Sequence, residues 1–277
     1  MRIFKHLIDF YINSSIHVAL AVFSLSWITL NAFDILYDEA LLSFIFYATI
    51  TGYNFVKYYG IVKRHHRRLT KWLRPIQIFS MLCFVLMCYY AFKLPIKTLI
   101  IISGFGLLNF LYAFPFLPRK LYLDTNQNLR SISGLKVYLI ALVWSGVTVI
   151  LPIVNNGFDF NADVGITFCQ RFIFVLALML PFEIRDLQYD SLKLATIPQK
   201  IGAKNTKVMG VLLLIVFLLL EFLKTHILVK HVTVIATIAC ITLLFIVFSK
   251  KEQGKFYSAF WVEGLPILWM LLLYYLG

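Results

Sequence analysis

The sequence has 277 residues, of which 61% are hydrophobic and only 14% are charged. Soluble domains carry about 25% charged residues, so this composition excludes an ordinary soluble enzyme and predicts an all-α, polytopic membrane protein. The net charge of +13 is typical of membrane proteins, whose cytoplasmic loops collect Lys and Arg. We therefore expect no nucleic-acid partner.

Apolar runs long enough to cross the roughly 30 Å hydrocarbon core of a bilayer recur along the whole chain. They predict one domain over 1–277, a bundle of nine transmembrane helices preceded by a short interfacial helix at MRIFKHLIDFYINSS. The nine spans are predicted at about 15–36, 40–60, 74–92, 95–117, 136–154, 165–184, 208–227, 230–248 and 258–276.

The distribution of basic residues predicts the orientation of the bundle. Of the 26 Lys and Arg residues, 21 fall in alternate connections, beginning with the N-terminal segment. By the positive-inside rule these connections, and hence the N-terminus, are cytoplasmic. We expect an integral, multi-pass protein of a bacterial inner (plasma) membrane. The basic run KRHHRR at 63–68 is typical of a loop that attracts anionic membrane lipids.

An acidic cluster stands out in PFEIRDLQYDSLKLATIPQKIG at 181–202. Glu183, Asp186 and Asp190 are spaced by three and four residues, which places them within about 60° of one another on a helix. Carboxylates this close need a cation, and Mg²⁺ prefers carboxylate oxygens. The alternative is a solvated helix end with ordinary surface acids.

The residues after the cluster favour a site. Pro198 and Gly202 predict a turn, while Lys193 and Lys200 supply point charges suited to phosphate oxygens. An acidic helix end followed by a basic turn predicts a metal–diphosphate site at the cytoplasmic membrane surface.

This stretch resembles the second aspartate-rich motif of the UbiA family of intramembrane prenyltransferases. That pattern is roughly D-x-x-x-D, a short gap, then T-[LI]-P-x-x-[LIF]-G. The matching residues are Asp186, Asp190, Thr196, Ile197, Pro198, Ile201 and Gly202. Weaker likeness lies in NFLYAFPFLPRK at 109–120 and in FWVEG at 260–264.

The resemblance implies a membrane-embedded transferase that moves a prenyl group from a prenyl diphosphate to a lipophilic or aromatic acceptor. It implies Mg²⁺ as cofactor, with Asp186 and Asp190 as catalytic metal ligands and Glu183 as support. Further substrate-binding candidates are Tyr112, Arg119, Lys120, Lys193 and Lys200. The alternative is a non-catalytic isoprenoid-binding or assembly-partner protein that keeps the fold. A small-solute transporter is disfavoured, because inverted repeats and broken helices are not evident.

The family's first motif, N-D-x-x-D, is degenerate here. Asn54 is retained, but Phe55 and Tyr58 stand where the family has aspartates, and Lys57 lies between them. One interpretation is that Lys57 replaces a metal ion, with Asn54 and Tyr58 on the same helix face. A second is that an isoprenoid is bound without ionisation.

A third interpretation moves the first motif to Asp34 and Asp38. The predicted topology argues against it, since both would lie at the external end of the first span. Among other polar residues in spans, Glu263 and Lys136 are predicted near the cytoplasmic side. Arg171 and Glu221 are predicted in the outer half, where they could form a structural ion pair.

Overall fold

A computed structural model describes residues 2–64, 73–113, 134–189 and 195–276, and all regular secondary structure in them is helical. Two segments are π-helical. Gly146–Ile150 lies between two α-helices, and Tyr257–Val262 comes shortly before the last α-helix. The α-helices are α1 (Arg2–Asn13), α2 (Ile16–Ala32), α3 (Glu39–Arg64), α4 (Leu73–Ala91), α5 (Ile96–Ala113), α6 (Leu135–Ser145), α7 (Leu151–Asn155), α8 (Ala162–Asp186), α9 (Ile197–Glu221), α10 (Val229–Phe248) and α11 (Leu265–Leu276).

Within the described residues, six helical stretches are long and apolar enough to cross a membrane, or seven if α1 and α2 are one bent span. The six are Leu73–Ala91, Leu135–Asn155, Ala162–Asp186, Ile197–Glu221, Val229–Phe248 and Tyr257–Leu276. The apolar stretch Ile96–Leu111 is shorter. The nine spans and the cytoplasmic N-terminus stay predictions.

Helix α8 packs against α6, α9 and α10, so it is fixed on several sides. Phe174 of α8 lies 5.2 Å, between ring centroids, from both Phe217 of α9 and Trp269 of α11. Helices in lipid associate through such close van der Waals contact rather than through the hydrophobic effect. The rigid α8 therefore sets the position of Asp186 at its end.

Helix α9 begins earlier than the span predicted from 208. Its first residue is Ile197, and the Gln199 side chain accepts a 3.0 Å hydrogen bond from the backbone N–H of Thr196. Pro198 suits the first turn of a helix, where its missing N–H costs nothing. The expected turn at 198–202 is thus a helix start, and Gly202 (φ 79°, ψ 157°) makes a kink within α9.

Candidate functional site

The end of α8 brings the two described acids of the cluster to one cation. The Lys136 ammonium, from the start of α6, lies 3.0 Å from Oε1 of Glu183 and 3.5 Å from Oδ2 of Asp186. The Glu183 side chain is only 2% exposed, whereas that of Asp186 is 21% exposed. The predicted common face of Glu183 and Asp186 is therefore confirmed, and a cation already sits between their oxygens.

Arg185 adds a second positive charge. Its Nε and one terminal nitrogen lie 2.9 and 2.8 Å from Oδ1 of Asp186. Its guanidinium carbon lies 5.3 Å from the ring centroid of Phe182, one turn away. Each oxygen of Asp186 therefore faces a different cation.

A third cation, the Lys200 ammonium, lies beside Gly134 at the start of α6. Gly134 enters α6 with φ 73°, a left-handed conformation that glycine adopts without a Cβ clash. A Cβ built there would lie 3.7 Å from Nζ of Lys200 and 3.4 Å from the carbonyl of Ala195. The segment at the start of α9 thus lies against the start of α6, with the Lys200 ammonium beside Gly134.

Glu263 connects this cluster to α3. Its carboxylate interacts electrostatically with Lys57 and with Arg185. It follows the π-helical segment Tyr257–Val262 directly. Lys57 and the end of α8 therefore belong to the same end of the bundle.

Residues of the degenerate motif hold the bend between α1 and α2. Asn54 is buried; its Nδ2 donates to the Ser14 carbonyl at 2.9 Å and to Ser80 Oγ at 2.8 Å, and its Oδ1 accepts from Ser15 Oγ at 2.8 Å.

The carbonyl of Asn13, at the end of α1, accepts two further bonds. They come from Tyr58 Oη at 2.7 Å and from Lys57 Nζ at 3.1 Å. Asn54, Lys57 and Tyr58 therefore have structural partners, and their roles in substrate binding stay predictions.

Several predicted site residues are not described. Asp190, Lys193, Arg119 and Lys120 lie outside the described residues, and Tyr112 is described only through its backbone in α5. In the part of the chain that is described, no group of three or more His, Cys, Asp or Glu side chains is placed to hold a metal ion. Glu183 and Asp186 do converge on one cation, and their oxygens are the type that Mg²⁺ prefers.

Asp38 lies far from this cluster. Its Oδ2 accepts from Nδ2 of Asn155 at 2.6 Å and of Asn156 at 3.1 Å, just before α8 begins. Asp186 ends the same helix, and 25 residues at 1.5 Å each span about 37 Å. This geometry disfavours Asp34 and Asp38 as partners of Asp186.

The predicted ion pair between Arg171 and Glu221 is wrong. The Arg171 guanidinium donates to the carbonyl of Leu25 at 2.9 Å and to Oγ1 of Thr29 at 3.3 Å. Glu221 is held instead by Lys224 at 2.6 Å. Both charged groups therefore have other partners in the structure.

Lys136 and Arg185 belong to this cluster but are not among the site residues predicted from the sequence. The sequence signal for Lys136 is a lone lysine at the predicted cytoplasmic start of an apolar run, which predicts either a side chain that extends to the membrane surface or one that faces the cavity. Only the packing of α6 on α8 shows that it faces two carboxylates.

A comparison with solved structures finds a likeness along the whole chain. The match is a structure described as digeranylgeranylglyceryl phosphate synthase in membranes, with a TM-score of 0.53 and 16% sequence identity. The match covers 98% of this chain and 97% of that one. No protein-family model matches the chain, and no curated protein sequence matches it either. The chain is thus a multi-pass membrane protein with a fold similar to that of this synthase.

Proposed function

We propose that this protein is a membrane-embedded prenyltransferase of the UbiA type. It transfers a prenyl group from a prenyl diphosphate to a lipophilic or aromatic acceptor. The observation that carries the proposal is the convergence of Glu183 and Asp186 on one ammonium at a helix end, with Arg185 and Lys200 nearby. The similar fold of a synthase whose product name contains two geranylgeranyl groups supports the same class of substrate.

The proposed topology has nine spans, with the N-terminus and this cluster on the cytoplasmic side. The positive-inside distribution supports that orientation. A prenyl diphosphate would then present its charged head to the cluster from the cytoplasmic side, while its apolar chain enters the bundle. Exclusion of water from the bundle would protect an allylic cation from hydrolysis.

The acids are proposed to hold Mg²⁺ through Asp186 and Asp190, with Glu183 in support. Both described acids supply carboxylate oxygens, the ligands that Mg²⁺ prefers, and a metal held there would displace the Lys136 ammonium, which lies between those oxygens in the structure. When bound, the metal would neutralise charge on the departing diphosphate.

The basic residues are proposed to bind the diphosphate itself. Arg185 and Lys136 lie beside Asp186, and Lys200 lies near the start of α6. Such fixed positive charges stabilise the negative charge that grows on the leaving group. The bond from the prenyl carbon to the diphosphate oxygen breaks with its electrons on oxygen. The acceptor attacks that carbon and loses its proton.

The test is transfer of a labelled prenyl group by the purified protein in lipid nanodiscs. A panel of labelled prenyl diphosphates is incubated with extracted membrane lipids as acceptors, with Mg²⁺ or with a chelator. We expect a labelled lipid product that requires Mg²⁺. Asp186→Asn removes a charge that faces two cations, so activity should fall by about 100-fold, in the range of a lost electrostatic group.

Asp163→Asn is the matched control, because Asp163 lies in the first turn of the same helix and accepts hydrogen bonds from Thr225. The activity of Asp163→Asn should stay within about twofold of wild type, because Asp163 lies at the opposite end of the helix from Asp186 and asparagine can still accept these hydrogen bonds. Absence of product would contradict the transferase proposal. Tight binding of an isoprenoid without product would instead favour the non-catalytic alternative.

A further inference from the structure

A charged residue lies buried in α8, far from the proposed active site. Arg171 is 2% exposed. It precedes Asp186 by 15 positions, or about 22 Å along the helix. An ionised group within a membrane span is costly and needs a compensating partner.

The described hydrogen-bond partners of Arg171 are neutral. Its guanidinium donates to the carbonyl of Leu25 and to the hydroxyl of Thr29, and it lies 5.1 Å from the ring centroid of Trp269. Within the described part of the chain, no carboxylate oxygen lies within 4.0 Å of the Arg171 guanidinium. Dipoles and a ring face stabilise its positive charge without neutralising it.

The nearby Glu221 does not supply the missing charge. Its Oε2 lies 2.6 Å from Nζ of Lys224 and accepts a 3.0 Å bond from Nε2 of Gln170. This carboxylate and this ammonium neutralise each other. Arg171 is therefore left without a carboxylate within 4.0 Å among the described residues.

Arg171 and Glu221 line a common cavity of about 20 Å³, which is partly open. The walls also include Gln170, Lys224, His231 and Trp269. This volume holds one water molecule or one monoatomic ion. Trp269 lines the cavity, and its indole N–H is buried and has no hydrogen-bond partner in the described residues.

We propose that this cavity binds a small monovalent anion of about the size of chloride. The anion would neutralise Arg171 and accept a hydrogen bond from the indole N–H of Trp269. A buried donor gains most from a charged acceptor. A bound water would leave the charge of Arg171 in place.

Bromide is the probe for this site. The purified protein in detergent is melted in potassium gluconate, with bromide replacing gluconate, a large organic anion, at constant ionic strength. A ligand of the folded state raises Tm with a saturable dependence on its concentration. We expect such a curve for wild type, and its midpoint is the bromide concentration at which half of the maximal rise in Tm is reached. We also expect an anomalous bromide peak in the cavity in crystals soaked in bromide.

Two variants remove the proposed partners one at a time. Trp269→Phe keeps a six-membered aromatic ring and removes the indole N–H, so the bromide midpoint should rise by about tenfold, the value of a hydrogen bond to a charged group. Arg171→Gln should abolish the saturable shift. Trp144→Phe is the matched control, because the Trp144 N–H already donates to Tyr53 Oη at 2.8 Å, and its midpoint should not change.

A wild-type Tm that rises without saturation, or not at all, overturns the proposal, and the cavity then holds water. An unchanged bromide midpoint in Trp269→Phe also overturns it. If Arg171→Gln does not fold, the comparison of Trp269→Phe with Trp144→Phe decides the question.

Discussion

Gly202 has backbone angles, φ 79° and ψ 157°, that are essentially restricted to glycine. A Cβ at this position would meet no atom within 4 Å, so a substitution tests the backbone alone. We expect Gly202→Ala to lower the free energy of unfolding by about 1–3 kcal/mol. The measurement is unfolding by SDS in mixed micelles.

Gly165→Ala is the control for this substitution. Gly165 lies in α8, also with no atom within 4 Å of a built Cβ. Alanine in a helix interior should stabilise by about 0.5–1 kcal/mol. If both alanine substitutions changed the free energy of unfolding equally, the backbone conformation at position 202 would not require glycine.

The contact of Lys136 with Glu183 can be measured as a coupling energy. Lys136→Met leaves a nearly buried carboxylate without this cation, and Glu183→Gln removes the charge. We expect the double-mutant cycle to give a coupling of about 1–3 kcal/mol. Unfolding in mixed micelles again provides the measurement.

Lys255 and Asp9 form the control pair. They are in contact, but their side chains are 61% and 26% exposed. Lys255→Met with Asp9→Asn should give a coupling below about 1 kcal/mol, as is usual for exposed pairs. A larger coupling there than at Glu183 would show that burial does not govern these ion pairs.

At the scale of elements, the bend of 56° between α1 and α2 depends on α3. Ser15 breaks the helix with φ 63°, and Tyr58 Oη satisfies the freed carbonyl of Asn13. We expect Tyr58→Phe to cost about 1 kcal/mol locally, and so to speed amide exchange in α1 by about fivefold. Hydrogen exchange with mass spectrometry measures this.

Tyr138→Phe provides the comparison, since Tyr138 is exposed on α6. Exchange in α1 should be the same in this variant as in wild type. Equal rates in Tyr58→Phe and wild type would mean that Lys57 and Asn54 hold the bend without the tyrosine.

Helix positions were predictable where an apolar run has clear polar ends. Helices α4 (Leu73–Ala91) and α10 (Val229–Phe248) lie within one residue of the spans predicted at 74–92 and 230–248. The π-helical segment at Gly146–Ile150 was not predictable, because it depends on packing from elsewhere. A Cβ on Gly146 would lie 2.0 Å from the Phe105 ring of α5.

The candidate site was predictable only where its residues share one helix. Spacing alone placed Glu183 and Asp186 on one face. The cation from Lys136 comes from another helix, and the electrostatic link from Lys57 through Glu263 to Arg185 joins three helical segments. Contacts between distant parts of the chain have no local pattern in the sequence.

At the scale of the whole molecule, the proposed site requires that the end of α8 face the cytoplasm. Gln188, just after α8, and Asp159, in the loop before it, are both exposed. They lie at opposite ends of a helix about 37 Å long, enough to cross the roughly 30 Å hydrocarbon core. Their accessibility from the two sides of a membrane therefore reports the orientation.

We expect single cysteines at these positions to react from opposite sides. The background lacks the four native cysteines, Cys83, Cys88, Cys169 and Cys240. In intact cells a membrane-impermeant maleimide should label Asp159→Cys, and it should label Gln188→Cys only after permeabilisation. The positive-inside rule predicts this pattern, because Lys200 and its basic neighbours lie beyond Gln188. The reverse pattern would place the acidic cluster outside the cell. The topology inferred from the charge distribution would then be wrong.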